Sequence, residues 1–220
     1  MMSVASFRIF AFSALALMST SGQALSSVRI ETESYEWADD GSTVALAPQS
    51  EANFGPFNVV ARDRVELNGS IESDTPTQFA AMLRAFPTIR QIDMVDCPGT
   101  GDDEANLALA RMVRKAGIAT FVPNNGSVRS GGVELFLAGA KRSAAPNAEF
   151  AVHSWLDEDG MEPDDYADSD PVNREYLNYY REMGMSYEKA KAFYAMTNSV
   201  PHNDALYLKP RDIAAFIPLD

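Results

Sequence analysis

One cysteine, two histidines and a shortage of positive charge set the first limits on this chain of 220 residues. The lone Cys97 admits no disulfide within the chain, and its place far downstream of the amino terminus argues against a lipoprotein anchor. Lysine and arginine number 18 against 31 aspartates and glutamates, a formal net charge of −13. A surface of that sign repels phosphate backbones and anionic bilayers, so nucleic-acid binding is disfavoured. No apolar run approaches the roughly twenty residues needed to cross a bilayer, which disfavours a stable membrane anchor. The apolar core from Ile9 to Met18 is about half that length; it follows the single charge of Arg8 and leads to Gly22-Gln23-Ala24. Residues 1–24 therefore match a cleaved secretory signal, which places the mature protein across the inner membrane, in the periplasm. Removing Arg8 takes the net charge from −13 to −14 and leaves about 196 residues, enough for one α/β domain over 25–220. No Gly-Lys-Ser/Thr follows Gly99-Thr100-Gly101, which excludes a nucleotide-binding loop of that type.

Periodicity then divides the chain. Ser27–Trp37 and Phe57–Leu67 have strand character, and Asn68-Gly69 marks a turn. A helix is expected from Pro76 to about Ala85, with Phe79, Met82, Leu83 and Phe86 on its inner face. Gln91–Val95 is expected as a strand, Cys97–Gly101 as a turn and Asp103–Ala116 as a helix stopped by Gly117. Ile118–Val122 follows as a strand, with a turn at Asn124–Gly126. This succession predicts an α/β fold with a mainly parallel sheet and helices packed over it. Eight acids and no base fall between Asp157 and Asp170. That density is expected of a solvated loop or flap, because like charges repel; a calcium loop fits less well, since the alternating ligand pattern with its closing Glu is missing. Two helices are expected over 172–196, the first rich in tyrosine, whose rings suit a packing face or an oligomer contact.

The chemistry concentrates between Asn125 and Trp155. Ser130 lies in Arg129-Ser130-Gly131-Gly132, where the glycines allow close backbone approach and leave the Gly131 N–H free to donate. An apolar helix follows from Val133 to Gly139, then the turn at Pro146-Asn147. Glu149–His153 alternates as a strand that delivers His153 at its end. A serine at a helix mouth also suits a plain N-cap, and a strand-end histidine a plain structural role; His202 is expected in a loop and Cys97 as a small buried side chain. In parallel sheets ligands gather beyond the carboxyl ends of the strands, where both turns and His153 are expected.

Val65–Trp155 resembles the Clp protease proteolytic subunit and its relatives of the ClpP/crotonase fold, in particular a secreted, Clp-like group. The landmarks come in order: VELNGSI from Val65 to Ile71, CPGTG from Cys97 to Gly101, Ser130 with its apolar helix, and Pro146-Asn147 followed by FAVHS. The resemblance implies a spiral of β-β-α units with a projecting helical region. It assigns Ser130 as nucleophile, His153 as base, and Gly99 and Gly131 as oxyanion donors. No metal or organic cofactor is implied. The expected substrate is a peptide or small acyl compound, and relatives of this fold imply a homo-oligomer. The Ser-Gly-Gly turn is also similar to that of signal peptide peptidase A, which uses a lysine base; no lysine here fills that place.

Two departures accompany the matches. Thr100 replaces the second glycine of the family turn and adds a hydroxyl beside the expected oxyanion site. The third member of the triad has no clear match: Glu188, Asn198 and Asp204 are candidates, and Asp204 is preferred because an ionised acid best stabilises an imidazolium. The resulting expectation is a periplasmic serine hydrolase, a peptidase. The alternative is a catalytically weak or inactive Clp-like protein that binds peptide or acts as a scaffold. Acyl-thioester chemistry of the crotonase kind is disfavoured, because secretion separates the chain from coenzyme A and no basic cluster awaits its phosphates.

Overall fold

The computed structural model of the chain describes residues 52–220. The signal-like segment 1–24 and the strand expected over Ser27–Trp37 lie outside the described residues. In chain order the elements are β1 (Ala52–Phe54), β2 (Phe57–Ala61), β3 (Arg64–Asn68), α1 (Thr75–Ala85), β4 (Gln91–Cys97) and α2 (Asp103–Ala116). Then come β5 (Ala119–Val122), β6 (Ser127–Arg129), α3 (Gly131–Leu137), β7 (Arg142–Ala144), β8 (Glu149–Val152), α4 (Pro171–Glu182), α5 (Tyr187–Thr197), β9 (Leu206–Leu208) and α6 (Pro210–Ala214). A single 3₁₀ turn occupies Pro163–Asp165.

The stretch expected as one strand, Phe57–Leu67, is a hairpin. Arg62 and Asp63 form the turn, and β2 and β3 pair antiparallel with Val59 opposite Val65. The reason lies in Arg62-Asp63-Arg64: three consecutive charges cannot keep alternate side chains buried, and the chain reverses there. From β3 onward the pairing is parallel, and β4 is the branch point. Its first half, Gln91–Asp93, pairs with β5, while its end, Asp96-Cys97, pairs with β6. One branch continues from β5 to β7; the other runs through β6 and β8 to β9, where the pairing turns antiparallel. The sheet forks.

Helix α2 shows how local sequence sets an element. The Asp102 carboxylate accepts the Ala105 N–H at 2.9 Å, Asp103 and Glu104 complement the positive first turn, and Arg114 and Lys115 the negative last one. Gly117 ends it at φ 68°, a conformation glycine adopts without steric cost. Leu107, Leu109, Ala110 and Val113 are buried, and Met112 is partly exposed. Helix α1 places Phe79 and Met82 in the core, with Leu83 and Phe86 packed at its margin. Helix α3 is buried throughout. Helices α4 and α5 contribute Tyr179, Tyr180 and Phe193 to the same core, whereas Tyr187 is 52% exposed. Strands β1, β6, β7 and β9 and helix α6 are additions to the elements expected, each too short to show a period. Among the described residues no helix is long and apolar enough to cross a membrane.

Arg142 ties the ends of two helices together. It is buried, with Nε donating to the Leu137 carbonyl and Nη2 to the Met183 carbonyl, both at 2.6 Å. Arg142→Met keeps an apolar stem but orphans both carbonyls, and is expected to lower the free energy of unfolding in urea by about 3 kcal/mol. Arg64→Met, which breaks a half-exposed pair with Asp93 at 3.6 Å, is expected to cost less than about 1 kcal/mol.

Candidate active site

Strands β4, β6 and β8 are parallel neighbours, so their carboxyl ends lie side by side. Cys97 pairs with Val128 and Val128 with Phe150. The residues just past these ends are Gly99-Thr100, Ser130 and His153, and the ladder brings together three stretches of which the first and last lie more than fifty positions apart. The Ser130 N–H donates to the Ala151 carbonyl at 2.8 Å, extending the ladder by one residue before the chain turns into α3.

That turn is strained. Ser130 has φ 46° and ψ −132°, a region that side-chain-bearing residues avoid at a cost of about 1–3 kcal/mol. Its side chain caps nothing, so helix capping does not account for the serine. Gly99, at φ 134°, lies against it: a Cβ there would stand 3.0 Å from the Ser130 Cβ. Gly131 is equally confined, since a Cβ would stand 2.5 Å from the Thr100 Cγ2 and 2.9 Å from the Asn106 Nδ2. The Gly99 N–H faces the Cys97 sulfur. That thiol is fully buried, and burial pushes its pKa up to about 12, so Cys97 is a packing side chain and not a nucleophile.

Ser130 and His153 border one small cavity of about 40 Å³. They are not hydrogen-bonded to each other. His153 Nδ1 lies 2.8 Å from the Ser154 carbonyl oxygen, which can only accept, so Nδ1 carries the proton and Nε2 keeps the lone pair. His202 Nδ1 contacts the same oxygen at 3.1 Å, and the two rings meet edge to face with centroids 4.8 Å apart. Asp204 is exposed; its Oδ1 accepts the Ala205 N–H at 2.8 Å and makes no hydrogen bond to His153. Glu188 is exposed, and the Asn198 Nδ2 is held by the Tyr194 carbonyl at 2.8 Å.

The opposite wall of the cavity comes from α2, α3, α4 and α5. Glu134, one turn past Ser130, is 7% exposed and accepts the Tyr180 hydroxyl at 2.6 Å. Burial pushes its carboxyl up to about 7, partly opposed by the Tyr180 hydrogen bond. Asn106 is 1% exposed, its Nδ2 bound to the Gly131 carbonyl at 2.8 Å and its Oδ1 without a partner.

No family model matches the chain, and no curated protein sequence matches it. Among solved structures, a ClpP1 mutant from Listeria monocytogenes matches with a TM-score of 0.50 and 19% identity, over 72% of this chain and 89% of that one. The fold is ClpP-like. Also similar are a mutant of the 1510-N membrane-bound stomatin-specific protease in complex with a substrate peptide, and the 1510-N membrane protease specific for a stomatin homolog from Pyrococcus horikoshii. The first has a TM-score of 0.48 and 16% identity, over 72% of each chain. The second has a TM-score of 0.46 and 16% identity, over 70% of this chain and 69% of that one.

Within this ClpP-like fold, Thr100 behaves otherwise than its sequence position implied. Its hydroxyl turns away from Ser130, donating to the Asp102 carbonyl at 2.8 Å and lying 3.0 Å from that of Ile71, while its methyl packs on Gly131. It is a strut for the turn. Three residues at the site carry no sequence motif: Asn106, Glu134 and His202. Only Glu134 had a signal, as the single charge in the run Val133–Leu137. The acidic run folds locally on itself, with Asp157 accepting the Tyr166 hydroxyl and the N–H groups of Asp159 and Met161. Glu162 reaches the His202 N–H at 3.0 Å, so the run also borders the histidines.

The raised pKa of Glu134 links stability to pH. Its folded value, about 7, exceeds the ordinary 4.5, so the protonated form favours the fold at low pH and that advantage is lost as pH rises through 7. Glu134→Gln is expected to be near neutral at pH 5 and to stabilise by up to about 3 kcal/mol at pH 8, read from urea unfolding at both pH values. Ser130→Gly relieves the positive-φ strain and is expected to raise the free energy of unfolding by about 1 kcal/mol, whereas Ser130→Ala keeps the strain and gains nothing.

Proposed function

We propose that this chain is a secreted serine hydrolase, a peptidase of the periplasm, in which Ser130 is the nucleophile and His153 the base. The observation that carries the reading is Ser130 itself: a strained serine whose hydroxyl caps nothing, at a strand-to-helix turn on the wall it shares with His153. Backbone strain held at one non-glycine residue beside a cavity is the kind of local cost that folds retain for function. The segment 1–24 supports the location, and the resemblance to Clp-like proteins supports a homo-oligomer.

In this reading Ser130 Oγ attacks the substrate carbonyl carbon and its proton passes to Nε2 of His153, the nitrogen left free by the Nδ1–H bond to the Ser154 carbonyl. The charge that develops on the carbonyl oxygen is held by the Gly131 N–H, joined by that of Gly99 once it leaves the Cys97 sulfur. Collapse expels the leaving amine, which takes the proton from His153, and water then releases the acyl group by the same route in reverse. The Ser154 carbonyl orients the base in place of a carboxylate such as Asp204. A carbonyl sets the tautomer but lends no full charge to the imidazolium, so turnover is expected to be slow beside a complete triad.

One observation favours a second reading. Ser130 and His153 form no hydrogen bond and His153 has no carboxylate partner, as expected of a peptide-binding or scaffold protein that has lost turnover. Labelling of the mature protein with a fluorophosphonate, read by intact mass, separates the two. A single adduct, absent in Ser130→Ala and at least about tenfold slower in His153→Ala, is the expected result; a folded protein that takes no adduct is a binder, not a hydrolase.

A further inference from the structure

Beyond the Ser130–Gly131 turn and His153, the wall of the cavity is made of donors already committed and acceptors still open. The Tyr180 hydroxyl is spent on Glu134 and the Tyr194 hydroxyl on Asn173 Oδ1 at 2.5 Å. The Thr197 hydroxyl and the Asn198 amide both go to the Tyr194 carbonyl, at 2.9 and 2.8 Å, and the Trp155 indole N–H to the Tyr194 hydroxyl at 2.9 Å. The Asn106 amide is held by the Gly131 carbonyl, which fixes its orientation: reversing it would set oxygen against oxygen. Its Oδ1 is therefore an acceptor, buried and unpartnered, in the wall of the cavity. The Glu134 carboxyl, with about four acceptor positions, takes one side-chain donor. Asp103, exposed at the first turn of α2, adds a second carboxyl at the rim, where the Tyr176 hydroxyl faces it, and no lysine or arginine lines the cavity.

A buried acceptor without a donor costs free energy, and a buried carboxyl that ionises without a cation costs more. Both deficits are removed by one kind of group. We propose that this cavity is a specificity subsite for a short primary ammonium on the acyl part of the substrate, held by Asn106 Oδ1, Glu134 and Asp103. The inference rests on the hydrolase reading above and names its substrate class: acyl groups that bear a primary amine within a few bonds of the carbonyl attacked by Ser130. Size sets the limit. About 40 Å³ admits one or two water-sized groups, such as an ammonium and its first methylene, and not a planar guanidinium.

The test compares two phosphonylating probes of equal shape, diphenyl 2-aminoethylphosphonate and diphenyl propylphosphonate, by their rates of adduct formation at Ser130 in the full mature chain. Because both need the same nucleophile and base, their ratio, divided by the ratio of their rates of uncatalysed hydrolysis, reports the subsite. The amine is expected to react at least about tenfold faster, the factor of one charge-assisted hydrogen bond. In Glu134→Gln the ratio is expected to fall to within about twofold while the propyl probe still labels. Equal rates in the wild-type protein, or a faster propyl probe, overturn the subsite, leave the hydrolase reading standing and make the cavity a water site. An undiminished preference in Glu134→Gln, with Asn106→Leu likewise unchanged, also overturns it. Adduct formation by neither probe, nor by the fluorophosphonate, overturns the hydrolase reading and the subsite with it.

Discussion

The hydrogen bond from the Ser130 N–H to the Ala151 carbonyl is the constraint on which the site depends. It holds β6 to β8 one residue beyond the last strand pair, so the chain must reverse into α3 within a single residue. Ser130 takes that reversal in its own backbone, at φ 46°. The glycines around it follow as consequences. Gly99 must lack a side chain because the turned serine occupies its space, and Gly131 because Thr100 and Asn106 close in from the other side. Local strain is tolerable here because α3 is buried along its whole length and the core repays a cost of this size many times over.

The same burial creates the electrostatic character of the site. A helix with every residue inside leaves Glu134 no route to solvent, and the fold answers with tyrosines: Tyr180 on its carboxyl and Tyr179 on its backbone carbonyl at 2.5 Å. Tyrosine supplies a donor on an apolar body, so it satisfies a buried oxygen without bringing in a second charge. The cavity is consequently small and polar, a setting in which single hydrogen bonds count for more than at the surface.

Much of this was legible in the sequence, and the exceptions have physical reasons. The bounds of α2 were readable to the residue because the charges of its end turns and Gly117 act within a few positions. The parallel succession followed from the alternation of short apolar runs with helical periods, and the solved ClpP1 structure has the same fold. The hairpin inside Phe57–Leu67 was missed because strand period survives on both sides of a tight turn. Ser130 and His153 were marked by motif, and both border the cavity. Asp204 was chosen for its charge, but charge in a sequence says nothing of direction, and its carboxylate serves its own loop. His202 was set aside as a loop residue. What brings it beside His153 is the antiparallel pairing of β9 with β8, a three-residue strand too short to leave a pattern. Asn106 and Glu134 belong to helix faces whose apolar periodicity describes the core and hides the polar residues that border a cavity.

The order of the elements along the chain also sets the order in which the parts of the site are made. The core branch is complete by β7, and the nucleophile turn and the base are in the chain by His153, but one wall of the cavity comes from α4 and α5, beyond residue 171. A chain emerging from the ribosome holds its serine and its histidine well before it holds the tyrosines that close the space around them. Completion of the pocket is thus tied to late synthesis, and an interrupted chain carries the reactive parts without the chamber that selects what they meet.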